Sequence, residues 1–85
     1  MDPVEIGGFE WDDDKALLNH DNHGASFEEA AEAVLNADEI TEGYVTRNEM
    51  RHAVVALSSC GRMLLVVITF RGNDVRIISA RRYRK

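Results

Sequence analysis

The chain has 85 residues, 45% hydrophobic and 29% charged, with a net charge of −5; this is the composition of a folded domain and excludes a wholly disordered polymer. That length allows one domain, residues 1–85, with a core so small that every apolar face must be covered. No apolar run approaches the roughly 18 residues of a membrane span, and the acidic start lacks the basic opening of a secretory signal, so a cytoplasmic protein with no membrane partner is expected.

The net charge conceals a division. Met1 to Gly43 carries thirteen acids and one base, Lys15, whereas Tyr44 to Lys85 carries nine bases and two acids. A half-chain that rich in arginine is a candidate polyanion surface. Equally, the acidic half can neutralise the basic half inside one folded monomer.

Residues 1–8 hold the only proline and two glycines and are expected to be loose. Phe9-Glu10-Trp11 reads as a brief edge strand. Asp12 is an N-cap, carboxylates fill the first turn that follows, and Gly24 supplies the left-handed stop, which predicts a helix over Asp12–His23. Ser26-Phe27-Glu28-Glu29 has the form of a capping box, serine and glutamate each satisfying a backbone N–H. Phe27, Ala30, Ala31, Val34 and Leu35 then recur at helical spacing to about Asn36. Ala37 to Asn48 reads as loop or as one further strand. Met50 to Ser58 reads as a strand.

The last third organises the rest. Arg62–Arg71 and Asp74–Arg81 flank Gly72-Asn73, a pair suited to a tight hairpin because glycine takes positive φ without cost. A two-residue turn sets Arg71 opposite Asp74, Thr69 opposite Arg76, Val67 opposite Ile78 and Leu64 opposite Arg81. Upstream, Ser59-Cys60-Gly61 suits a three-residue connection pairing Ser58 with Arg62, which brings Arg51 opposite Thr69 and into one row with Arg76. Alternation then puts Phe70, Ile68, Val66, Leu64, Val75, Ile77, His52, Val54 and Ala56 on a greasy face, and Glu49, Arg51, Thr69, Arg71 and Arg76 on a polar one. The expected fold is α+β: an N-terminal helical hairpin packed on one face of a three- to four-stranded antiparallel sheet. Cys60, without a second cysteine, is read as a turn residue, and no metal site or cofactor motif stands out.

The string Phe9-Glu10-Trp11-Asp12, Lys15, Asn19, His23-Gly24-Ala25-Ser26-Phe27-Glu28-Glu29-Ala30, Glu49-x-Arg51, Gly61-Arg62 and Arg76-Ile77-Ile78-Ser79-Ala80-Arg81 resembles the BrnT toxins of bacterial type II toxin–antitoxin systems. The resemblance implies a fold like that of the RelE ribonuclease toxins, an RNA-cleaving activity and a cognate, BrnA-like antitoxin, with operator DNA reached only through that antitoxin. Asn22 departs from it, standing where the family usually has lysine.

Metal-independent RNA cleavage needs a base for the 2′-hydroxyl, an acid for the leaving 5′-oxygen and cations around the phosphorane. Glu49 and His23 are candidate bases, His23 also a candidate acid, and Arg51 and Arg76 the best pair for a phosphate clamp, since a guanidinium fork binds two oxygens at once. Arg81 completes the candidate catalytic set of His23, Glu49, Arg51, Arg76 and Arg81. Lys15, Arg62, Arg71 and Arg82 are candidate RNA contacts, and Arg81, Arg82, Arg84 and Lys85 form a terminal basic run. Each has a plain structural alternative: surface salt bridges for Arg51 and Arg76, a helix-capping role for His23, a first-turn ion pair with Asp12 for Lys15, and a frayed tail for the terminal run. His52, Trp11 and Phe27 read as core residues. The rival function is a non-catalytic, toxin-like module that binds an antitoxin.

Overall fold

The computed structural model describes residues 7–38, 40–41 and 43–83; most of the stretch expected to be loose, and Arg84 and Lys85 of the basic run, lie outside them. The elements are β1 (Gly8–Glu10), α1 (Asp13–His23), α2 (Phe27–Asn36), β2 (Tyr44–Thr46), β3 (Glu49–Leu57), β4 (Met63–Arg71) and β5 (Asp74–Arg82). Their sheet order is β1-β5-β4-β3-β2. The class is α+β, but the sheet has five strands and is mixed, because β1 runs parallel to β5 with Phe9 beside Val75. Three residues are too short to display a period, and a parallel neighbour leaves no turn signature between the strands it joins. Order also begins earlier than expected: the Gly7 N–H donates to the Asn73 carbonyl at 2.7 Å.

Asp12 accepts from the Asp14 and Lys15 backbone N–H groups, and Gly24 closes α1 at φ 68°. Ser26 caps α2 through the Glu29 N–H. The expected capping box is only half made, however, because the Glu29 carboxylate turns to Ser58 and Arg62 instead. An ion pair with an arginine outcompetes a second backbone contact at a helix end that water already solvates.

β2 and β3 form a hairpin about Arg47 and Asn48, both at positive φ (50° and 61°), with Thr46 opposite Glu49. Two left-handed residues make the mirror-image turn that matches strand twist, and an arginine there is what hid it from the sequence. The Ser59-Cys60-Gly61 connection has the expected form: Gly61 is at φ 81°, the Ser58 N–H donates to Arg62, and Leu57 pairs with Met63.

The β4–β5 hairpin keeps the expected register from Arg71–Asp74 to Ile68–Ile77, then slips at a bulge, so that Val67 faces Ser79, Leu65 faces Arg81 and Leu64 faces Arg82. The expected pairs Val67–Ile78 and Leu64–Arg81 are thereby corrected. One extra residue reverses the faces beyond it. Ala80 turns to the buried side, and Arg81 moves to the side of Arg76.

Val54, Ala56, Leu64, Val66, Ile68, Val75, Ile77 and Ala80 of the sheet bury against Phe27, Ala30, Ala31 and Val34 of α2. Phe27, Leu64 and Ile68 are fully enclosed, each contributing roughly 1.5–3 kcal/mol of hydrophobic burial. The helices contact the sheet more than one another: α1 lies along β5, and α2 crosses β3, β4 and β5. The opposite face of the sheet is left bare.

Candidate nucleic-acid interface

On the bare face, Arg76 of β5 stands beside Thr69 of β4 on one side and Glu10 of β1 on the other. The β3–β4 ladder stops one residue short of Arg51, so the expected Arg51–Thr69 pair is not formed; Thr69 reaches instead to Met50, the chain neighbour of Arg51. One turn closer to the hairpin tip, Arg71 pairs with Asp74. The side chains join into a line of alternating sign. Arg51 Nε donates to Glu49 at 3.0 Å, Arg71 lies 3.8 Å from Glu49 and 3.9 Å from Glu10, and Arg76 lies 3.7 Å from Glu10. Only the Arg51–Glu49 contact has hydrogen-bond geometry; the others are looser, exposed pairs that water and salt weaken. Three arginines and two glutamates leave the line net positive.

Between these groups the sheet opens. The ladder of β3 with β4 ends at His52–Ile68, while residues Glu49–Arg51 pair outward with β2. Thr69 spans the gap, its hydroxyl donating to the Met50 carbonyl at 2.7 Å. Here lies a cleft of about 480 Å³ lined by Asn48, Glu49, Met50, His52, Thr69, Phe70 and Arg71. His52 Nδ1 lies 2.9 Å from the Thr41 carbonyl, and its ring meets Phe70 edge-on at 5.2 Å.

A second cluster occupies the far end of the sheet. The Arg62 guanidinium pairs with the Glu29 carboxylate and donates to the Gly24 carbonyl at 3.1 Å, while the Ser58 hydroxyl donates to Glu29 at 2.7 Å. The Arg62 hydrogen bond is the main cause holding the Glu29 carboxyl below its ordinary range, helped by Ser58 and by the charge of Arg82 and opposed by burial. The same contact raises Arg62. Arg62 is therefore committed to Glu29. Arg81 and Arg82 are exposed at this end beside Leu65 and Tyr83.

The five candidate catalytic residues accordingly fall into two groups. Glu49, Arg51 and Arg76 come together at the hairpin end. Arg81 lies on the same face but five residues along β5, and exposed His23 adjoins Gly24, which touches Arg62. Arg62 and Arg71 are nine positions apart on one strand, a separation on the order of 30 Å. His23 and Glu49 thus do not share a reaction centre in this conformation. Lys15 is exposed on α1, while Asp12 is engaged with backbone N–H groups as a cap.

Sequence reasoning missed Glu10 and the cleft. A glutamate between Phe9 and Trp11 signals a side chain on the face opposite two aromatics, but nothing local to it names Arg71 or Arg76 as partners. Among the described residues, no group of three His, Cys, Asp or Glu side chains is placed to hold a metal ion, and no helix is long and apolar enough to cross a membrane.

A family model described as the ribonuclease toxin, BrnT, of type II toxin–antitoxin systems matches residues 11–85. The 1.1 Å crystal structure of the Brucella abortus ribonuclease toxin BrnT superposes with a TM-score of 0.70 over 92% of this chain and 97% of that one, at 21% identity. No curated protein matches the chain. A likeness at that identity speaks for the fold; with the family model spanning nearly the whole sequence, the chain belongs to the BrnT family of type II toxins.

Proposed function

We propose that this chain is a cytoplasmic, metal-independent endoribonuclease that arrests translation and growth until a cognate, BrnA-like antitoxin covers its bare face, operator DNA being reached only through that antitoxin. The observation that carries this reading is the line Arg51–Glu49–Arg71–Glu10–Arg76 on the face the helices leave open. Glu49 takes the proton from a 2′-hydroxyl, its carboxylate aimed by the Arg51 N–H. Arg76, beside Thr69, and Arg51, next in the chain to the Met50 whose carbonyl Thr69 binds, together hold the phosphate as charge builds on its oxygens. Arg71 and Arg76 remain cationic at any working pH and stabilise the charge on the leaving 5′-oxygen, which takes its proton from water. Arg81, on the same face, and Arg82, with His23 beyond them, contact the RNA backbone farther from the reacting phosphate.

The test is direct: incubate the purified chain with total RNA, with EDTA present, and compare the purified complex with the product of the adjoining reading frame. Cleavage by the free chain and silence of the complex support the reading. Intact RNA in both favours the rival, a non-catalytic module that binds the antitoxin. For that rival the observation is Glu10, which already partners Arg71 and Arg76.

A further inference from the structure

We infer that the cleft between the diverging strands β3 and β4 is a nucleobase subsite, which seats one unstacked base next to the scissile phosphate; this rests on the ribonuclease reading above. At about 480 Å³ it is an open depression with room for a single base. Its lining mixes two chemistries: Glu49 and Arg71, members of the charged line, and the less polar Met50, His52 and Phe70. Phe70 sits on the otherwise buried face of the sheet, yet 37% of it is exposed. An aromatic ring left uncovered in the cleft that Glu49 and Arg71 also line is a stacking surface, tolerant of any base because every base has a π-face.

His52 completes the lining. A carbonyl oxygen can only accept, so the 2.9 Å contact with Thr41 places a proton on Nδ1, and in that tautomer Nε2 is an acceptor. That atom can accept from an amino or ring N–H group on a base edge. Because Arg71 lines the same cleft, a base inserted here carries its own phosphate toward that end of the charged line. Unstacked bases on aromatic side chains are the usual way a protein reads single-stranded RNA.

The experiment uses the full chain and a short RNA made uncleavable by a single 2′-deoxy substitution, carrying 2-aminopurine at the substituted nucleotide. Binding is followed by fluorescence quenching, and a matching oligonucleotide with an abasic position there is bound by competition. The wild-type chain is expected to quench the base. Phe70→Leu, which keeps bulk but removes the ring, should lose the quenching and weaken binding by roughly ten- to a hundredfold, while Phe70→Trp restores both. The abasic oligonucleotide should bind the wild-type chain and Phe70→Leu equally weakly. Equal quenching and affinity for the wild-type chain and Phe70→Leu would overturn the subsite, as would undiminished binding of the abasic strand. Failure of the nuclease reading looks different: quenching through Phe70 in a chain that cuts no RNA retains the subsite and removes the catalysis. Conversely, cleavage at the same positions with the same rates in Phe70→Leu removes the subsite and retains the catalysis.

Discussion

The side-chain amide of Asn19 binds both backbone groups of Ala80, donating to its carbonyl at 2.8 Å and accepting from its N–H at 3.0 Å. It imitates one rung of a β-ladder. Strand β1 pairs with β5 only as far as Arg76, and Asn19, 6% exposed, satisfies the edge that β1 leaves uncovered. The same amide also donates to the Ala25 carbonyl at 3.0 Å, which ties the turn after α1 to the sheet.

Asn19→Ala leaves buried backbone groups without partners, and should cost roughly 2 kcal/mol, or a fall in Tm of about 10 °C for a chain of this size. Asn19→Asp is the sharper test. An ionised carboxylate can accept from the Ala80 N–H but cannot donate to either carbonyl, so burial there favours its protonated form. Its folded pKa is then raised, and the variant should recover stability as the pH falls. Urea midpoints for both variants at neutral and acid pH check this; an Asp variant that only weakens on acidification contradicts the account.

The strong local signals in the sequence, caps, a glycine stop and alternating strands, correctly mark both helices and the greasy face. Turn chemistry was legible where glycine supplies the positive φ, at Gly61 and Gly72, and illegible at Arg47-Asn48, where it does not. The bulge at Ile78 was invisible because Ile77 and Ile78 read as interchangeable apolar residues, and it decides on which face Arg81 stands. Although the expected Arg51–Thr69 pair is not formed, the Glu49, Arg51 and Arg76 grouping could be read from alternation. The cleft could not: it lies where the β3–β4 ladder stops at His52–Ile68, an end point that no alternation pattern records.

Acid sensitivity should run through Glu29. Its carboxyl sits below the ordinary value of 4.5 in the fold, chiefly through Arg62, so the unfolded chain takes up this proton at a higher pH than the folded one. The contribution to stability is therefore complete above about pH 5 and is lost as pH falls through the depressed folded value. Glu29→Gln should cost roughly 1–2 kcal/mol at pH 7, and the gap to wild type should narrow toward pH 3. A gap that stays constant between pH 7 and pH 3 would show that the charge on Glu29 does not matter.

On the proposed reading, Glu10 would compete with RNA for Arg71 and Arg76. Both contacts are longer than 3.5 Å and partly exposed, so removing the carboxylate costs little fold stability, within about 0.5 kcal/mol. Glu10→Gln should bind single-stranded RNA several-fold more tightly at low salt, and the advantage should fade as salt screens the charge. Filter binding at 50 and 300 mM salt measures both effects, and weaker binding by the variant would assign Glu10 a different role.

Arg51 and Arg76 separate charge from geometry. Lysine at either position keeps the positive charge but cannot present two parallel N–H donors to a phosphate. Arg51→Lys and Arg76→Lys should each retain RNA affinity within a few-fold, yet lower the rate of single-turnover cleavage by about 10²–10³, the cost of removing one donor aimed at developing charge. The double Ala variant goes further. It should lose growth arrest on expression, and the slope of log affinity against log salt should flatten by about 0.7 for each arginine removed. Its circular dichroism and unfolding midpoint should stay near wild type, because both side chains stand on the face that the core does not use. Growth arrest undiminished by the double Ala variant would mean that toxicity resides elsewhere on the molecule, and the line on the bare face would then be a solvated ion-pair network.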